Sequence, residues 1–248
     1  MHILFGILFY IAGLILIAGL FIKIKQYATT PAPLKIPTTP APVTKTGVVW
    51  RMITEVVFFN SLWKSNKWIW IFGWMFHFAL LLAFFRHLRY VIPSDWAIYI
   101  LVDNWAVLTL GKYAGWAMLA GLVGLFGRRL VVDRVRYISS PSDFAMLLLI
   151  MGIALTGVMV SFVFRDAYAV MQLKAFVTGL LTFNLQPVPD NTLIVIHLAL
   201  VLILMVIFPV SKLLHAPGVF FSPTRNQVDN PREQRHLAPW ARKLESGN

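Results

Sequence analysis

Five long apolar runs constrain this chain more than any other feature. They cover Ile3–Ile22, Trp68–Ile92, Tyr113–Phe126, Phe144–Phe164 and Leu193–Leu214. About 20 apolar residues suffice to cross a bilayer as a helix, and helices that are apolar all round belong in lipid or a deep interior. The third run is short, with Leu108–Leu110 available to extend it upstream. The chain is 58% hydrophobic, well above the usual soluble mix of about 45–50%. The expected fold class is therefore all-α: an integral membrane bundle of five transmembrane helices.

The connecting segments set the expected organisation. Ile3–Ile22 has no basic residue ahead of it and Lys23 and Lys25 just behind, so it reads as a retained first span rather than a cleaved leader. Residues 1–22 are then the first transmembrane helix. Residues 23–67 form a Pro-rich loop in which Thr29–Pro33 and Thr38–Pro42 are the same word, TTPAP. Such proline density favours extended structure, as a spacer or as a strap for a partner. The later FFNSLWKSNKW has aromatics spaced for an interfacial helix. Residues 68–215 hold the other four spans. Ser142 or Asp143 is placed to cap the fourth, just after Pro141, and Pro209 is placed to bend the fifth. Residues 216–248 read as a polar tail.

The formal charge is +12, and the basic residues fall between the oily runs. That pattern points to topology and lipid rather than to nucleic acid. Seven Lys or Arg lie in 23–67, four in 128–142 and six from Lys212 onward, against five on the opposite side. The positive-inside rule then puts the N-terminus outside and the C-terminus in the cytoplasm, as expected of a multi-pass protein of the cytoplasmic (inner) membrane.

There is no cysteine. Disulfides, thiolate nucleophiles, Cys-held iron–sulfur clusters and CxxCH haem attachment are excluded within this chain. No catalytic residue is expected here, and substrate chemistry falls to partners.

Six histidines remain. His2 and His236 lie near a terminus and in the tail and have no assigned role. His77, His87, His197 and His215 all fall in or at the end of spans two and five, where an ionisable residue points to function. A continuous helix separates the first pair by about 15 Å and the second by about 27 Å. The two spans run in opposite directions, so His77 meets His215 at the cytoplasmic level and His87 meets His197 at the outer level. Two cross-helix pairs at two depths suit two b-type haems, each iron taking one imidazole from each helix. The unequal spacings leave each pair about 6 Å of offset to absorb. A zinc site would need its ligands to converge. A proton relay would lack carboxylates inside the spans to alternate with the imidazoles.

The neighbours admit two readings each. Gly73, Gly115, Gly121 and Gly124 admit a flat ring or ordinary small-residue packing. Arg86 and Arg89 flank His87 and Lys212 precedes His215; each is placed to pair with a haem propionate or to snorkel to headgroups.

At this point the sequence resembles a known family. HLALVLILMVIFPVSKLLH, His197–His215, resembles the last span of the cytochrome b (gamma) subunit of respiratory nitrate reductase. That family also places two histidines 18 apart around an FPxS element and two histidines 10 apart in its second span. GRRLVVDRVRYISSPSDFAMLLLIMGIAL resembles its basic loop and fourth span, and the resemblance covers about residues 68–216. The long Pro-rich loop, FFNSLWKSNKW and the RHLRY ending of span two look more like a related subunit. This is the cytochrome b (M) subunit of the membrane complex of dissimilatory sulfur metabolism.

The resemblance implies electron exchange between quinone or quinol and a cytoplasmic iron–sulfur subunit that resembles heterodisulfide reductase. It also implies a periplasmic multihaem cytochrome and further membrane subunits as partners. A basic residue near the start of span three lies at the family's quinone pocket, and Lys112 is the nearest match. A nitrate-reductase-type gamma subunit is the alternative within the family. A histidine-relay transporter and a passive membrane anchor are the alternatives outside it.

Overall fold

The structure is a computed structural model that describes residues 2–31, 37–229, 240, 241 and 244. The end of the first TTPAP word, at Ala32 and Pro33, lies outside the described residues, as do His236 and most of the tail beyond Asp229.

The described residues form helices and turns, with no strand among them. They comprise α1 (His2–Thr29), α2 (Lys45–Phe58), α3 (Asn60–Ser65), α4 (Lys67–His87), α5 (Trp105–Val131) and α6 (Asp133–Tyr137). After these come α7 (Pro141–Phe162), α8 (Ala167–Leu181), α9 (Thr192–Ile207) and α10 (His215–Gly218). Five are long and apolar enough to cross a membrane: Ile3–Thr29, Lys67–Tyr90, Trp105–Val131, Pro141–Phe162 and Thr192–Val210.

Local chemistry explains where the helices start. Asn66, Asn104 and Asn191 each accept hydrogen bonds from backbone N–H groups in the first turn of α4, α5 and α9, which satisfies donors that would otherwise be stranded at a helix start. The third span is longer at both ends than its apolar run. Asn104 supplies a cap well upstream, and Lys112, Arg128 and Arg129 are good helix formers that do not interrupt it. The fourth span starts earlier than expected. Ser140, not Ser142 or Asp143, is the N-cap; Pro141 takes the first helical position, and the Ser140 N–H donates to Asp143 Oδ2 at 3.0 Å. Asp143 therefore belongs to the first turn of a span expected to begin after it.

The fifth span is not one continuous helix. The α-helix ends at Ile207, a 3₁₀ turn covers Phe208–Val210, and Ser211 is extended at φ −103°, ψ 170°. A second 3₁₀ turn, Lys212–Leu214, leads to His215. Pro209 cannot donate to the helix ladder, and here the segment breaks rather than bends. Sequence reading had no helix between spans four and five, yet α8 lies there.

The chain divides into two units, Met1–Lys23 with Ser61–His215, and Ile24–Asn60 with Ala216–Asn248. In the larger unit, α4, α5 and α7 share one buried cluster centred on Phe76, Met118, Leu122 and Ile150. A second cluster joins α8 and α9 through Phe176, Ile194 and Leu198, with Phe5 and Phe9 of α1 against it. Small residues allow close approach: a Cβ on Gly121 would meet the Phe72 carbonyl oxygen at 2.9 Å, and one on Gly19 would collide with the Pro209 ring.

In the smaller unit, α2 packs with the segment after α10. Thr38 N–H donates to Thr224 O at 2.8 Å, Asp229 N–H donates to Pro42 O at 2.7 Å, and Arg225 pairs with Glu55 at 3.0 Å. The segments expected as a loop and a tail are thus joined by backbone hydrogen bonds.

Candidate functional site: two imidazole pairs

The larger unit brings four histidines together as two pairs. The His77 and His215 ring centres are 5.9 Å apart with planes crossed at 84°. The His87 and His197 ring centres are 6.3 Å apart with planes nearly parallel, at 10°. The offset expected from continuous helices is absorbed, and the interruption at Phe208–Ser211 lies between the two histidines of the last span.

Each imidazole is oriented through Nδ1. His77 Nδ1 is 2.7 Å from Gly73 O, His87 Nδ1 is 2.6 Å from Ala83 O, and His215 Nδ1 is 2.9 Å from Lys212 O. A carbonyl oxygen only accepts, so these Nδ1 atoms carry the proton and Nε2 carries the lone pair. His197 Nδ1 instead lies 2.9 Å from Thr156 Oγ1, on α7. That hydroxyl already donates to Gly152 O at 2.8 Å, so it accepts from His197 and fixes the same tautomer.

These dimensions suit one metal between each pair. A metal–nitrogen bond is about 2.0 Å, and a ring nitrogen lies about 1.1 Å from its ring centre, so two imidazoles on opposite sides of one ion have centres about 6 Å apart. No group of three or more His, Cys, Asp or Glu placed to hold an ion exists among the described residues. The arrangement fits a planar macrocycle that fills the equatorial positions itself and needs only two axial nitrogens.

A cavity of about 390 Å³ opens around the second pair, within the range of cofactor pockets. His87 and His197 line it, with Gly111, Gly115 and Gly157 among its walls. A Cβ on Gly157 would stand 3.4 Å from His197 Cε1. Of the glycines singled out from sequence, Gly115 lines this cavity, whereas Gly121 and Gly124 pack against Phe72 and Gly73 faces Leu62.

The family model for the nitrate reductase gamma subunit matches residues 41–235. The chain belongs to that family. A relative in Archaeoglobus fulgidus, called "Hdr-like menaquinol oxidoreductase cytochrome b-like subunit", is 35% identical over 280 residues, covering 96% of this chain and 83% of the relative. A protein of the same name in Archaeoglobus profundus is 28% identical over 273 residues, covering 93% of this chain and 80% of the relative.

In this gamma-family chain the basic candidates have separate surroundings. Arg86 lines the cavity and donates to Leu108 O of α5 at 3.1 Å. Arg89 instead stacks on Tyr90, its guanidinium 5.0 Å from the ring centre. Lys112 lines the cavity with its ammonium 5.1 Å from the Phe162 ring centre. Lys212 Nζ is 2.7 Å from Asp143 Oδ2, and Arg129 approaches the same oxygen at 3.7 Å. Asp143 is buried, so this cationic pairing matches its charge. Lys212 therefore has a carboxylate partner within the chain.

Sequence reasoning missed Thr156 and α8. Val170 and Leu173 of α8 line the cavity beside Ser161. The helix had a readable signal: Asp166 accepts from Ala169 N–H as its cap, and Ala169, Leu173, Phe176 and Leu180 repeat on one face. Thr156 had none, because its partner is 41 residues away in the chain.

Proposed function

We propose that this chain is a dihaem b-type membrane cytochrome subunit that exchanges electrons between the quinone pool and a cytoplasmic iron–sulfur partner. His77 and His215 are the axial ligands of one haem, and His87 and His197 are those of the other. The observation that carries this is the spacing of both pairs, 5.9 and 6.3 Å, with each Nδ1 hydrogen-bonded so that Nε2 keeps the lone pair a metal would take. When bound, two b haems supply one-electron transfer between two depths of the bilayer.

The chain's own work is to hold four imidazoles in one tautomer and to enclose the second pair in a mainly apolar pocket. The excess of basic residues in the loops puts the N-terminus outside, so that pocket faces the outer side of the cytoplasmic membrane. Arg86, with a fixed charge on the cavity wall, is the propionate partner best placed there. Arg89 and Lys212 are held by Tyr90 and Asp143 and serve that role less well. Lys112, on the same wall, donates to a quinone carbonyl.

The name carried by the two archaeal relatives supports menaquinol as the quinol and, through "Hdr-like" and "subunit", a complex with other subunits; the iron–sulfur partner follows from the resemblance. The Pro-rich loop, FFNSLWKSNKW and RHLRY favour the sulfur-metabolism type of complex over the nitrate reductase type. A periplasmic multihaem cytochrome and further membrane subunits would complete that complex.

The deciding experiment is a reduced-minus-oxidised absorption spectrum with a haem count on the purified complex. Two b haems per chain are expected. Colourless protein that carries ion flux in vesicles would mean a histidine relay. Full turnover with all four histidines replaced by Gln would mean a passive anchor.

A further inference from the structure

We infer that Thr156 is a positioning residue that sets the electronic character of the outer axial ligand His197. The role rests on the haem assignment above. Three of the four imidazoles hydrogen-bond a backbone carbonyl three or four residues earlier in their own chain segment. No side-chain substitution removes those acceptors. His197 is held across a helix interface, by a buried hydroxyl on α7 with the Ile153 carbonyl of the same helix beside it.

The hydroxyl is polarised on both sides. It donates to Gly152 O at 2.8 Å, with Ile153 O at 3.0 Å, and accepts the His197 Nδ1 proton. Donation to a carbonyl makes the threonine oxygen a better acceptor. A stronger acceptor on Nδ1–H moves electron density toward Nε2 and raises ligand basicity. A more basic ligand favours ferric over ferrous iron, so the hydroxyl lowers the outer midpoint potential. The same bond holds the His197 plane within 10° of His87, with Gly157 leaving room beside the ring.

Three variants separate hydrogen bonding from packing. T156A and T156S both delete the methyl group and differ only in the hydroxyl; T156V keeps the shape. The purified complex is titrated potentiometrically, and its ferric low-spin EPR spectrum is recorded, with the inner haem as internal standard. T156A and T156V are expected to raise the outer midpoint potential and move the outer EPR signal, or to lose the outer haem alone. T156S is expected to match wild type. The inference is overturned if T156A leaves the outer haem unchanged, if T156S behaves like T156A, or if both haems shift together. Wild-type protein without haem would remove the haem assignment itself, a different result from two normal haems that ignore Thr156.

Discussion

The ring planes of His87 and His197 are nearly parallel, 10° apart, while those of His77 and His215 are crossed at 84°. Ligand planes that align split the two iron π-orbitals they overlap; crossed planes leave them nearly equal in energy. The ferric protein should therefore show one rhombic low-spin EPR signal and one strongly anisotropic signal. H87A or H197A should abolish the rhombic signal alone, and H77A or H215A the anisotropic one. H77A protein that kept both signals would dismantle the pairing.

Lys112 is the cavity's ammonium and lies over the Phe162 ring. A charge-assisted hydrogen bond is worth about 1.5–3 kcal/mol, so K112A should slow haem reduction by a menaquinol analogue about 10- to 100-fold. Dithionite should still reduce both haems fully. An unchanged quinol-driven rate would take Lys112 out of the quinone site.

Asp143 joins the start of α7 to the turn that carries His215, because Lys212 gives its ammonium to Asp143 and its carbonyl to His215 Nδ1. D143A should destabilise the detergent-solubilised protein by about 1–3 kcal/mol and, on the proposed assignment, reduce haem at the His77–His215 pair before the other. K212A should cost less, since Arg129 and the Ser140 N–H remain beside the carboxylate. Thermal denaturation followed by circular dichroism and by Soret absorbance would rank the two variants.

Gly121 and Gly127 make a matched pair on α5. A Cβ at Gly121 would meet backbone atoms of Phe72 and Phe76 at 2.9 and 3.1 Å, whereas one at Gly127 would meet nothing within 4 Å. G121A should destabilise the protein by about 1–3 kcal/mol through forced separation of α4 and α5. G127A should be neutral, or stabilising by up to about 1 kcal/mol from helix propensity. Thermal midpoints in detergent would check the contrast.

The spans were legible because lipid imposes one simple demand, a helix that is apolar all round. The histidine pairs were legible because antiparallel spans map spacing along the chain onto depth. What escaped depends on partners far apart in sequence. Lys212 could be placed at a membrane edge, but its carboxylate lies 69 residues away on α7. Thr156 looks like one more small polar residue until α9 is set beside it. Pro209 was visible as a disturbance, yet the extended backbone at Ser211 depends on the Ser211 hydroxyl bonding back to Phe208 O. The apolar helix α8, at 15 residues, is too short to read as a span, although its face pattern was there to be counted.

The bonds from Thr38 to Thr224 and from Asp229 to Pro42 close a loop around the last four spans. During synthesis the first halves of these bonds emerge early and wait until every span has been made. The small unit is then closed only after the last span: a ribosome that stopped after His215 would release protein with all four paired imidazoles and no closed clasp.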